Sequence, residues 1–182
     1  MKESKYKEEK IKEEIVFQGK MLRVDRDTVR LPNGNQATRE VVRHPGAVAV
    51  VALQNRQVLL VRQYRYPIEQ ETLEIPAGKL DPGEDPINCA LRELREETGH
   101  RGNMEKIGTY YTSAGFTNEV MHLFLARDLV WDPLTADEDE LVDVERIPWQ
   151  EAVQMAVENR FDDAKTILGI LLANSLKGAE WC

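Results

Sequence analysis

Cysteine is nearly absent from this chain: two in 182 residues, Cys89 and Cys182. Neither falls in a C-x-x-C or Cys/His spacing, so a disulfide framework and a thiolate zinc site are both excluded as organising features. The three histidines, His44, His100 and His122, also lack metal-ligand spacing and read as structural. No apolar run approaches the roughly 20 residues needed to span a bilayer. The first residues, MKESKYKEEKIKEE, are charged throughout, without the apolar core of a signal peptide. Basic clusters are missing too. The net charge is −8, which argues against a nucleic-acid partner. An acidic balance does not exclude an anionic substrate, because bound metal ions reverse the local field. There is no internal repeat and no low-complexity linker. A soluble, reduced, cytoplasmic protein with no membrane or nucleic-acid partner is expected.

What the chain does have is an unusual helix. Gly78–His100 reads GKLDPGEDPINCALRELREETGH. Asp85 suits an N-cap, Pro86 the first helical turn and Gly99 the stop beyond the last. Ile87, Ala90, Leu91 and Leu94 recur at helical spacing and predict one buried face. At about 100° per residue, Glu93 and Glu97 border that stripe and Glu96 lies on the far side of Glu93. Like charges one turn apart oppose the helix, and partial burial raises the cost. Two readings fit: a solvated charged face relieved by Arg92 and Arg95, or a platform for a hard divalent cation, which selects grouped carboxylates.

The rest of the chain reads as strands, then this helix, then strands and helices, an α+β or mixed α/β pattern with a sheet flanked by helices. Residues 15–31 read as strand, and the return over 36–43 gives a hairpin over roughly 20–43 about the turn Pro32-Asn33-Gly34-Asn35, preceded by a solvated or weakly helical leader. Strands follow at 46–53, 57–64 and 72–75. The run GAVAVVAL predicts a strand buried on both faces. Beyond the helix come strands at 107–112, 120–126 and 141–147, an acidic loop over 128–140, and helices over 148–159 and 163–177.

The spacing Gly78-x5-Glu84-x7-Arg92-Glu93-Leu94-Arg95-Glu96-Glu97-Thr98-Gly99 resembles the Nudix box, G-x5-E-x7-R-E-U-x-E-E-x-G-U with U apolar. Only its last position differs, where His100 stands. Over about residues 17–172 the segments TREVVRHPGAVAVV, VRQYRYP, LEIPAGKLDPGE, YYTSAGFTNE and DDAKTILGI are similar to bacterial ADP-ribose pyrophosphatases. One mark departs: Ser113-Ala114-Gly115 stands where that subgroup commonly has Ser-Pro-Gly.

The resemblance implies an α-β-α sandwich around a mixed sheet over 44–182, with an N-terminal antiparallel β-ribbon over 1–43 serving dimerisation. It implies Mg²⁺-dependent hydrolysis of ADP-ribose, with Mn²⁺ as a substitute ion, giving AMP and ribose 5-phosphate. The rivals are another nucleoside diphosphate sugar as substrate, or a nucleotide-sensing domain without turnover. Glu93, Glu97 and Glu96 match metal-binding glutamates, joined by the backbone carbonyl of Ala77. Within the acidic loop Glu138 matches the catalytic base and Glu140 a further metal ligand. Arg65 matches an arginine on the diphosphate or terminal ribose, and Arg39 one near the adenine. Phe17 is expected to stack on adenine from a second subunit of a homodimer, and Glu119 to hydrogen-bond the ribose. Arg92 is expected to orient the glutamates and Glu84 to brace the loop against the helix.

Overall fold

The computed structural model describes residues 4–135 and 141–177, and it divides into two compact units. The first holds residues 1–46 and 111–120. At its centre lies β3 (Arg23–Arg30), paired along its whole length with β4 (Gln36–Arg43). The other edge of β3 is shared. β1 (Glu9–Lys12) pairs with its end and β2 (Ile15–Gln18) with its start, all antiparallel. The leader, expected to be solvated or weakly helical, therefore contributes a short strand. Gly34 takes φ +87 in the hairpin turn, the conformation that glycine adopts without strain. Residues 111–120 join this unit through backbone bonds from Val42 N to Phe116 O (2.8 Å) and from Asn118 N to Val42 O (3.3 Å).

The second unit is built on a mixed seven-stranded sheet. Its strands are β5 (Ala47–Gln54), β6 (Gln57–Arg65), β7 (Gln70–Glu74), β8 (Ala77–Lys79), β9 (His100–Tyr111), β10 (Val120–Trp131) and β11 (Asp143–Pro148). The main path runs β11-β6-β5-β10-β9, with β7 on β6 and β8 on β5. Only two positions, Asn55 and Arg56, both at positive φ, separate β5 from β6. This is the tight hairpin geometry whose twist matches its strands. β5 pairs antiparallel with β6 and parallel with β10. Ala47 to Leu53 are all buried, as the unbroken apolar run requires.

Alternation along β5 sorts the core onto two faces. Ala47, Ala49, Val51 and Leu53 pack with Trp149 and Ala152 of α2 (Trp149–Val157) and Ile170 and Ala173 of α3 (Ala164–Lys177). Val48, Val50 and Ala52 pack with Cys89, Ala90 and Leu94 of α1 (Pro86–Thr98). The second unit is thus an α-β-α sandwich about a mixed sheet, the α+β architecture the element order predicts. β9 and β10 run longer than their apolar cores suggest. β8 stands where the sequence reads as loop, because Pro76-Ala77-Gly78 lies along the start of β5.

Candidate active site

Helix α1 starts and stops where its residues dictate. Asp85 caps it by accepting from Ile87 N at 3.0 Å. Pro86 opens the first turn, and Gly99 ends the helix at φ +73 with its N–H on Arg95 O. The buried face differs from the expected apolar stripe. Cys89, Ala90, Glu93, Leu94, Glu97 and Thr98 are buried, while Ile87 is exposed. Glu93 and Glu97 thus lie within the packed face rather than beside it. The helix has rolled so that both carboxylates face β8.

The two acids reach neighbouring residues of that strand. Ala77 N donates to Glu97 Oε2 at 2.9 Å. A Cβ at Gly78 would stand 2.0 Å from Glu93 Cδ and Oε1, so the Glu93 carboxylate fills the space that any other residue's side chain would occupy. Gly78 is paired with Val48 in the sheet and is not at positive φ. Its lack of a side chain, not its conformational freedom, is what the site uses.

Arg92 ties the acids together. Its Nη1 donates to Glu93 (2.8 Å) and Glu96 (2.9 Å), and its Nε and Nη2 donate to the two oxygens of Glu84 (both 3.0 Å). Glu84 also accepts from Asp81 N at 3.0 Å, bracing the loop on the helix. The Arg92 hydrogen bonds hold the Glu84 carboxyl down at about 2, and the same contacts raise Arg92 above its usual value. Next to them Cys89 Sγ donates to Lys79 O at 3.3 Å, and burial pushes this thiol up to about 12. The donors gathered here are carboxylate oxygens, two of them on buried side chains. That is the kind of donor a hard divalent cation selects, so the residues fit such an ion, and the missing side chain of Gly78 leaves the space that the Glu93 carboxylate fills.

Arg65 stands at the edge of this cluster. It makes a bidentate pair with Glu74, Nε to Oε1 at 2.7 Å and Nη2 to Oε2 at 2.6 Å. Its guanidinium is raised first by this contact, with Glu97 and Asp163 adding their pull. Glu74 also accepts from Thr72 Oγ1 (2.5 Å) and from Lys165 Nζ. Burial works to raise this carboxyl, but Arg65, Lys165 and Thr72 together outweigh it and hold the group at about 2. Sequence reasoning passed over Glu74, Thr72 and Lys165. The available signal was a lone charge between Leu73 and Ile75 at the end of a strand.

Arg39, Phe17 and Glu119 belong to the first unit. Arg39, on β4, pairs with Glu8 (2.6 and 2.9 Å) on an exposed surface. Phe17, on β2, is half-exposed, its ring lying over Gly19. Glu119 accepts from Thr112 Oγ1 at 2.6 Å and faces His44 Nδ1 at 3.5 Å. A cavity of about 460 Å³ opens beside this pair, lined also by Met21, Val42, Ser113 and Phe116. These residues all belong to the first unit. Glu138 and Glu140 lie outside the described residues.

A second acidic group, Glu13, Asp25 and Asp27, has oxygens within 4.8 Å of one another. Arg43 donates to Asp25 (2.8 Å) and Asp27 (3.0 Å), Arg23 to Asp25 (2.8 Å) and Glu13 (3.1 Å), and Lys10 to Glu13. Three acids meet three bases, so this is a neutral ion-pair cluster. The acids on α1 are the better candidates for a cation.

Residues 42–168 match the model of the NUDIX domain, and residues 8–42 that of the nucleoside diphosphate sugar hydrolase N-terminal domain. The chain is 46% identical over 169 residues to the methanol dehydrogenase activator of Bacillus methanolicus, covering 91% of each chain. It is 42% identical over 167 residues to the ADP-ribose pyrophosphatase of Bacillus subtilis, covering 90% of each. A GDP-mannose pyrophosphatase of Yersinia enterocolitica is 36% identical over 146 residues, 73% of this chain and 75% of that one. The crystal structure of an ADP compounds hydrolase superposes with a TM-score of 0.86 over both whole chains at 23% identity, a likeness of fold.

Proposed function

Because the chain belongs to the Nudix family, we propose that it hydrolyses the pyrophosphate bond of ADP-ribose to AMP and ribose 5-phosphate. The observation that carries this reading is the approach of the Glu97 and Glu93 carboxylates to the neighbouring Ala77 and Gly78. The ADP-ribose pyrophosphatase of Bacillus subtilis supports the choice of substrate by its 42% identity.

Glu93, Glu97 and Glu96, with the Ala77 carbonyl and Glu140, would hold Mg²⁺, or Mn²⁺ in its place. Such an ion, when bound, neutralises phosphate charge and lowers the pKa of a water. The chain's own residues supply the rest. Arg92 keeps the glutamates in one arrangement through charge-assisted bonds. Arg65 offers a planar fork suited to a diphosphate. Glu138 takes the proton from the attacking water. The water oxygen bonds to phosphorus as the bridging P–O bond breaks, and the leaving phosphate carries the electron pair. Arg39 and Phe17 serve the adenine and Glu119 the ribose. The segment 1–43 acts as the dimerisation ribbon of a homodimer, 44–182 as the hydrolase domain, and the enzyme works in the cytoplasm.

The test is to incubate the protein and Mg²⁺ with ADP-ribose, GDP-mannose, NADH, diadenosine polyphosphates and 8-oxo-dGTP, and to separate the products. AMP from ADP-ribose at the highest kcat/KM is expected. Faster cleavage of another compound overturns the substrate, and tight metal-dependent binding with no turnover overturns the enzyme. The methanol dehydrogenase activator, 46% identical, favours a second reading, action on a dehydrogenase. It is checked by adding the chain to a methanol dehydrogenase and following its rate.

A further inference from the structure

Glu74 and Arg65 end neighbouring strands, yet they are not opposite each other. Glu74 faces Val61 in the ladder, and Arg65 faces Gln70. Positions 61, 63 and 65 share one face of β6, and 70, 72 and 74 share the matching face of β7. Arg65 therefore runs back along the sheet, past the Thr72–Gln63 rung, to reach both oxygens of Glu74. Leu59, two residues before Val61 and so on the same face, packs with the α1 core cluster. Arg65 also feels the Glu97 carboxylate, which adds to its raised pKa, while Lys165 reaches the pair from α3.

The acceptor is fixed from every side. Glu74 is 2% exposed, against 39% for the Arg65 side chain. Thr72 donates to its Oε1, Lys165 to its Oε2, and Lys165 is itself paired with Asp163 at 3.0 Å. Asp163 accepts from Thr166 N (2.9 Å), and Thr166 Oγ1 accepts from Ile75 N (2.9 Å). The first turn of α3 is thus bonded to the residue that follows Glu74. A cavity of about 280 Å³ opens beside the group, lined by Arg65, Ile68, Thr72, Glu74 and Lys165.

We propose that Glu74 is the positioning residue of this site, a buried carboxylate that Thr72 and Lys165 hold still so that the exposed Arg65 fork is presented to the substrate diphosphate in one orientation. The inference rests on the proposed pyrophosphatase reading. Glu74 touches neither the substrate nor the attacking water and acts only through Arg65. The diphosphate charge is present both before and during reaction. A misaimed Arg65 therefore weakens binding of both states alike, which raises KM and leaves kcat nearly unchanged.

The experiment is a double-mutant cycle of Glu74→Gln and Arg65→Lys. Lysine keeps the charge but cannot form the bidentate fork. Each single variant is expected to raise KM for ADP-ribose by about tenfold, the scale of one charge-assisted bond. Kcat and the Mg²⁺ half-activation concentration should stay within about threefold, and the double variant should be no worse than Arg65→Lys alone, as coupled residues require. Equal and multiplicative effects in the two backgrounds overturn the proposal, and so does a fall in kcat at constant KM. If Glu74→Gln does not fold, Glu74→Asp keeps the charge and withdraws the carboxylate by one methylene, and the same pattern is expected at smaller size. Wild-type protein that leaves ADP-ribose intact refutes the parent reading instead. The cycle is then read on the Kd for ADP-ribose by calorimetry, where the same non-additivity is required.

Discussion

Gly78→Ala separates the geometry of the carboxylate cluster from its chemistry. The new methyl would sit 2.0 Å from Glu93 Cδ and Oε1 and 2.4 Å from Oε2. Ordinary contact lies near 3.5 Å, so the carboxylate must withdraw by about 1.5 Å. The backbone gives no other reason for harm, because Gly78 is not at positive φ and alanine is acceptable in a strand. Stability should fall by no more than about 2 kcal/mol, the worth of one charge-assisted bond from Arg92 to Glu93. Arg92 keeps its bonds to Glu84 and Glu96. Activity should fall much further, because a displacement of this order near reacting groups costs about 100-fold, and the Mg²⁺ required for half-activation should rise. The measurements are kcat/KM for ADP-ribose against Mg²⁺ concentration, with urea unfolding of the same preparation. Activity within threefold of wild type at unchanged Mg²⁺ dependence would refute the claim that Glu93 is a ligand seated over Gly78.

Gly99→Ala combines a strained φ of +73 with a methyl 2.3 Å from the Trp131 ring. It should lose about 2 kcal/mol or more of stability by thermal melting, with part recovered in a Trp131→Ala background. Asp85→Ala removes the cap on Ile87 N and should cost about 1 kcal/mol in the same assay. Acid should unfold the protein through Glu74, whose pKa falls from about 4.5 in the unfolded chain to about 2 in the native one. The unfolded state then binds more protons between these values. Stability is full above pH 4.5 and declines as pH drops towards 2, by about 3 kcal/mol from this group. Urea titrations at stepped pH should show that slope, and a flat profile would contradict it. Glu97→Gln should remove most activity through metal affinity, whereas Glu138→Gln should slow turnover with metal affinity kept. A near-normal rate for Glu138→Gln places the base elsewhere.

Much of this arrangement was legible in the residues. Asp85, Pro86 and Gly99 mark the ends of α1 because caps and stops are local chemistry. The run from Gly46 to Leu53 announces a doubly covered strand because nothing polar interrupts it. Periodicity misjudged the helix face. Ile87 and Leu91 fit an apolar stripe, but β8 offers Glu97 a backbone N–H and Glu93 a vacant Cβ site. Those contacts turn the carboxylates inward at the expense of Ile87. The strand character of Ala77–Lys79 was hidden because three residues carry no period. The Glu74 network was hidden because Lys165 lies 91 residues away from its partner, and sequence spacing carries no trace of such a pairing.

The thiol of Cys89 has a use beyond packing. Sealed against Lys79 O and Arg92 and held largely protonated, it should resist alkylation as long as α1 stays on β8. With Cys182 replaced by serine, its rate of modification becomes a clock for the opening of that one seam. Ligands that clasp the helix would slow the clock and variants such as Gly78→Ala would quicken it, so local breathing could be timed without reference to turnover.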